Sequence, residues 1–101
     1  MSKIRVLAKR PDSSWYCTNV ENNLRNLQNF VGGYIETVTI AFDAVVICDE
    51  DGRLKGKEHC ATVAGYDFVG DILIAGVDGD EFADVPVTLK QAREMGLCKE
   101  G

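Results

Sequence analysis

The sequence predicts a single α+β domain: a mainly antiparallel β-sheet of about five strands, one amphipathic helix on one face and a short C-terminal helix. Three observations carry this. Short segments of alternating or continuous apolar character recur at residues 3–10, 15–18, 34–41, 44–48 and 72–77. Only residues 20–31 repeat apolar side chains at the i, i+4, i+7, i+11 spacing of a long helix face. The strands also lie too close together for repeated crossover helices, so neighbours pair antiparallel. With 101 residues and 46% hydrophobic composition, one packed domain spans residues 1–101.

In residues 3–10 the positions Ile4, Val6 and Ala8 alternate with Lys3, Arg5 and Lys9, and Leu7 interrupts the polar side, which describes a half-buried strand. Pro11-Asp12-Ser13-Ser14 turns the chain into Trp15-Tyr16-Cys17-Thr18, so a β-hairpin opens the fold. Asn19 then caps a helix whose buried stripe is Val20, Leu24, Leu27 and Val31, widened by Phe30, and Gly32-Gly33 stops it. Residues 34–41 are β-branched and aromatic, and residues 44–48 are apolar on both faces, as in an interior strand. Asp51-Gly52 suits a tight turn into an antiparallel Arg53-Leu54-Lys55. Residues 56–66 have no period and read as a loop. Residues 72–77 form a second interior strand ended by Asp78-Gly79-Asp80-Glu81, and Thr88 caps a helix over residues 89–95 closed by Gly96. A domain of this size is expected to leave sheet edges and one sheet face poorly covered, which favours a homodimer or larger homo-oligomer.

Eleven Lys and Arg against sixteen Asp and Glu give a formal charge of -5, the wrong sign for general nucleic-acid binding. The basic start of the chain lacks the apolar run of a secretory signal, and no apolar stretch approaches the ~20 residues of a membrane-spanning helix. A cytoplasmic protein with no membrane association is therefore expected, with Cys17, Cys48, Cys60 and Cys98 as free thiols. The scattered cysteines lack the paired spacing of a zinc site, and the acidic run at Asp78, Asp80, Glu81 and Asp84 lacks the glycine and final glutamate of a calcium loop. No metal and no cofactor is expected.

Lys3, Arg5 and Lys9 form a basic stripe on the first strand, and Arg25, Arg53 and Lys57 add cations able to hold a small anion. Trp15, Tyr16 and Tyr34 could stack on a base, and His59 completes the candidate ligand-binding set. His59-Cys60 is also the only Cys–His juxtaposition, but adjacent strand residues point to opposite faces, so a thiolate–imidazole pair is not expected. The acidic half from Asp67 to Asp84 offers an alternative, a surface that blocks an enzyme or a nucleic-acid-binding host factor.

Val31-Gly32-Gly33-Tyr34-Ile35-Glu36, preceded by Leu24 and Leu27-Gln28 and followed by residues 45–52 and 70–76, resembles an uncharacterised family of small phage and Firmicutes mobile-element proteins. Where that family's loop carries an Asn-Arg pair this chain has His59-Cys60, so no role of the pair transfers. The resemblance implies a phage or mobile-element protein working against host defence in the bacterial cytoplasm. The expected function is a non-enzymatic binding protein that sequesters a small nucleotide-like signal. The alternatives are a protein-binding inhibitor that blocks a host factor through its own acidic surface and, last, a small Cys/His-dependent enzyme.

Overall fold

A computed structural model describes residues 2–98. Its main sheet follows the strand path β2 (Tyr16–Glu21), β1 (Lys3–Lys9), β7 (Ile72–Asp78), β4 (Ala44–Asp49), β3 (Ile35–Ala41), with β8 (Glu81–Ala83) paired to the end of β7. All these pairings are antiparallel. β5 (His59–Val63) and β6 (Tyr66–Val69) form a separate hairpin. Among the described residues two helices complete the α+β architecture, α1 (Leu24–Val31) and a short α2 (Leu89–Glu94).

The continuous apolar runs lie where they bury both faces. β4 is buried at every position, and β7 is buried from Ile72 to Gly76, because these are the interior strands. On one face, Leu27 and Val31 of α1 pack on Ile4, Val6, Ala8, Val45, Ile47, Leu73 and Ala75. On the other, Leu7, Val46, Cys48, Ile72 and Ile74 meet Cys60, Ala61, Val63 and Phe68 of the β5–β6 hairpin, with Trp15, Val85, Ala92 and Cys98. Both faces are therefore covered, contrary to the expectation that one would be poorly covered. The aperiodic residues 56–66 supply the second cover, because Ala64 and Gly65, both at positive φ, turn a hairpin that their flanking sequence does not announce.

Three boundaries differ from the sequence reading. Asn19 and Val20 extend β2, since they pair with Arg5 and Ile4, and the helix starts later with the Asn23 side chain accepting from the Asn26 N–H at 2.9 Å. Leu24 is consequently exposed. Residues 53–55 form turns and no strand, because the chain must climb out of the sheet plane to reach the second layer. The glycine stop and the Thr88 cap are as expected: Gly32 adopts φ 81 at the end of α1, and Thr88 and Gln91 form a reciprocal capping box.

Candidate functional site

The chain leaving β4 builds a polar clip before it builds a surface. Asp49 accepts at Oδ2 from Lys55 Nζ at 2.8 Å and from Lys57 Nζ at 2.7 Å, and at Oδ1 from the Asp51 N–H at 2.9 Å. Lys55 also donates to the Gly32 carbonyl at 3.0 Å and Lys57 to the Val31 carbonyl at 2.7 Å. The two lysines thus satisfy carbonyls at the C-terminus of α1, where the helix dipole also favours cations. Burial pushes the Asp49 carboxyl up, but the bonds from Lys55, Lys57 and the Asp51 N–H outweigh it and hold the group well below the usual carboxylate range. Gly33 is required at this crossing, because a Cβ there would stand 2.5 Å from Asp49 Oδ1 and 2.6 Å from Lys55 Nζ.

Beside the clip, a groove of about 240 Å³ runs between the main sheet and the second hairpin. Glu36, Val38 and Cys48 line it from β3 and β4, Tyr66, Asp67 and Phe68 from β6, and Glu50, Arg53 and Leu54 from the connecting loop. Arg53 Nη2 donates to the Asp67 carbonyl at 2.7 Å, which ties the loop to β6. Asp67 Oδ1 accepts from Thr62 Oγ1 at 2.6 Å and lies 3.6 Å from His59 Nε2. The Thr62 bond, then His59, keeps the Asp67 carboxyl ionised at lower pH than usual. Three exposed acidic residues, Glu36, Glu50 and Asp67, therefore line the groove with one arginine, whose guanidinium is tied to the Asp67 carbonyl, while the Asp67 carboxylate is itself held by Thr62 beside His59. Leu54, 89% exposed, and Tyr66, 54% exposed, give the rim an apolar surface. The chemistry suited to such a groove is a cation on an apolar stem.

The sequence-predicted ligand residues do not converge. Lys9 is buried and donates to the carbonyls of Cys60 at 2.8 Å and Arg10 at 3.2 Å, because the second hairpin covers β1 from Leu7 onward. The basic stripe is thereby reduced to Lys3 and Arg5, and Arg5 Nη2 is spent on the Val85 carbonyl at 2.8 Å. Trp15 is in the core and cannot stack on a ligand, while Tyr16 is half-buried under the opposite face. Arg25 is exposed on α1. Lys9 and His59 line one depression, and Arg53, Lys57 and Tyr34 line three others. Lys57 is committed to the clip. Asp49 and Lys55 of the clip, and Glu36, Glu50, Leu54 and Tyr66 of the groove, lie outside the sequence-predicted set. Lys55-x-Lys57 just after an Asp-Gly turn was the available signal for the clip, whereas the groove depends on a hairpin that residues 56–66 do not announce.

His59 and Cys60 diverge, as their adjacency requires. Cys60 faces the core and its Sγ donates to the Lys9 carbonyl at 3.5 Å, while His59 is exposed beside Asp67. Burial pushes the Cys60 thiol up to about 11, with Lys9 opposing and Asp71 adding to the shift. Burial, then Glu36 and Asp49, raises Cys48 to about 11 as well. Both thiols are protonated at neutral pH. Among the described residues, Cys17, Cys48 and Cys60 are free thiols, and no group of three or more His, Cys, Asp or Glu side chains is placed to hold a metal ion.

Residues 4–96 match the family model described as a domain of unknown function, DUF3846. The chain belongs to this family. The DUF3846 match spans the main sheet, the clip and both walls of the groove, so these features lie within the family's domain. No curated protein matches the chain, and no solved structure does.

Proposed function

We propose that this DUF3846 domain is a non-enzymatic binding module that captures a basic, partly apolar segment of a partner protein in the groove between its two sheets. The observation that carries this reading is the groove wall itself: Glu36, Glu50 and Asp67 outnumber the engaged Arg53, and exposed Leu54 and Tyr66 flank them. A Lys or Arg side chain entering there would pair its head with the carboxylates and lay its methylenes on the apolar rim. The formal charge of -5 adds long-range attraction for such a partner. In the phage or mobile-element setting implied by the resemblance, occupancy of this kind would block a host defence factor in the bacterial cytoplasm.

Calorimetric titration with short Arg/Leu peptides and their Glu/Leu counterparts tests the reading. Binding should be confined to the basic peptides, weaken as salt rises, and disappear in Glu36→Lys/Asp67→Lys, whose substituted side chains are exposed. Equal binding of acidic and basic peptides would refute it.

Sequestration of a nucleotide-like signal rests on a different surface. At the end of α1, exposed Tyr34, the amides of Gln28 and Asn29, Asp51 and Lys55 line a depression of about 530 Å³, where Tyr34 offers an aromatic face and Lys55, already bonded to Asp49 and the Gly32 carbonyl, has one N–H left to donate. Titration with a panel of cyclic and ADP-ribose-type nucleotides, with Tyr34→Ala as control, tests that reading.

A further inference from the structure

The outer edge of β3 ends the main sheet, and its sequence lacks most of the devices that blunt edges. It is seven residues long, has no Pro or Lys, and carries one charge, Glu36. The Tyr34 carbonyl accepts from the Glu50 N–H at 2.8 Å. By alternation, Glu36 and Val38 direct their main-chain groups to β4, and Ile35, Thr37 and Thr39 direct theirs outward. The Thr37 and Thr39 side chains are exposed.

We propose that β3 pairs with β3 of a second copy, antiparallel about a two-fold axis at Val38, joining two main sheets into one. This register sets Thr37 against the partner copy's Thr39, and the reverse, so both outward-facing pairs exchange main-chain hydrogen bonds. Thr–Thr pairs are favourable across strands, and Glu36 meets Ile40, so no like charges oppose. The bulge between Thr39 and Ala41 lies beyond this central pairing. The same two-fold brings Tyr34 towards Phe42 of the other copy at each end. These are two of the most exposed large apolar side chains, at 70% and 97%, and they bracket β3. Four such rings supply roughly 600 Å² of buried surface, and the paired strands carry the total past the about 1,000 Å² expected of a specific interface.

The variants that test this interface leave the groove wall untouched, because the Thr37 and Thr39 side chains lie on the opposite side of β3 from Glu36 and Val38. Sedimentation velocity reads it directly. The natural chain should sediment at twice its mass of 11.1 kDa. Thr37→Lys/Thr39→Lys, which sets lysine against lysine, should halve that mass, and Thr37→Lys/Thr39→Glu, which sets lysine against glutamate, should restore it. Circular dichroism shows whether each variant is folded. A monomeric natural chain, a dimer indifferent to the double lysine, or no recovery in the folded Lys/Glu variant would each overturn the proposal.

Discussion

Replacing Asp49 by Asn should be among the most damaging single substitutions in the polar part of this protein. The Asp49 side chain is 1% exposed and holds two ammonium groups, Lys57 at 24% and Lys55 at 43% exposure. Removing one partner of a fully buried ion pair costs about 3–5 kcal/mol. Lys55 is nearly half exposed and contributes less once discounted for screening, so the loss rests mainly on Lys57, on the Asp51 N–H and on the loosened end of α1. A cost of about 3 kcal/mol follows. Against a total stability of about 5–15 kcal/mol, this lowers the melting temperature by roughly 12–24 °C. Urea unfolding followed by the fluorescence of Trp15, the only tryptophan and buried in the core, measures it. The pH dependence gives a second reading of the same pair. Because the folded carboxyl lies below its ordinary value of about 3.9, its contribution is complete above that value and is lost as pH falls through the folded value. The natural chain and the Asp49→Asn variant should therefore differ fully at pH 7 and converge in acid. A difference under about 0.5 kcal/mol at pH 7 would show that the clip is not a stabilising element.

Gly33→Ala should weaken the same clip from the other side, by about 1–3 kcal/mol in urea unfolding, since its Cβ competes with Asp49 and Lys55 for space. An unchanged midpoint would contradict this crossing. Gly76→Ala places a Cβ against the Asp84 backbone carbonyl, which cannot swing aside as a side chain can, and should cost more than Gly33→Ala, with the loss concentrated in faster hydrogen exchange at β8. Alkylation of the native protein at pH 8 should modify exposed Cys17 first, with Cys48 and Cys60 reacting only on unfolding, because burial keeps their thiols protonated. Mass spectrometry with peptide mapping reads the order, and early labelling of Cys60 would contradict its placement.

The legible part of the fold was the part governed by local rules. Apolar runs at residues 44–48 and 72–77 announced interior strands, and Gly32 and Thr88 announced helix ends, since a left-handed residue and a side-chain cap are properties of a few neighbouring residues. What escaped depended on contacts distant in sequence. Val20 fits a helical stripe as well as a strand, and only its pairing with Ile4 decides the matter. The β5–β6 hairpin has a turn at Ala64-Gly65 without the usual Asn-Gly or Asp-Gly signal, so the second cover of the sheet stayed hidden. That omission propagated to the site. Without the hairpin, Lys9 read as solvent-facing and the groove between Glu36 and Asp67 did not exist.

Backbone NMR spectra recorded while acetyl-arginine amide is added most directly test whether the cleft between the sheets recognises cations. Saturable shifts should cluster at Glu36, Glu50, Arg53, Leu54, Tyr66 and Asp67, and acetyl-glutamate amide should leave these resonances in place. Shifts scattered over the surface, or an equal response to the acidic compound, would contradict the account.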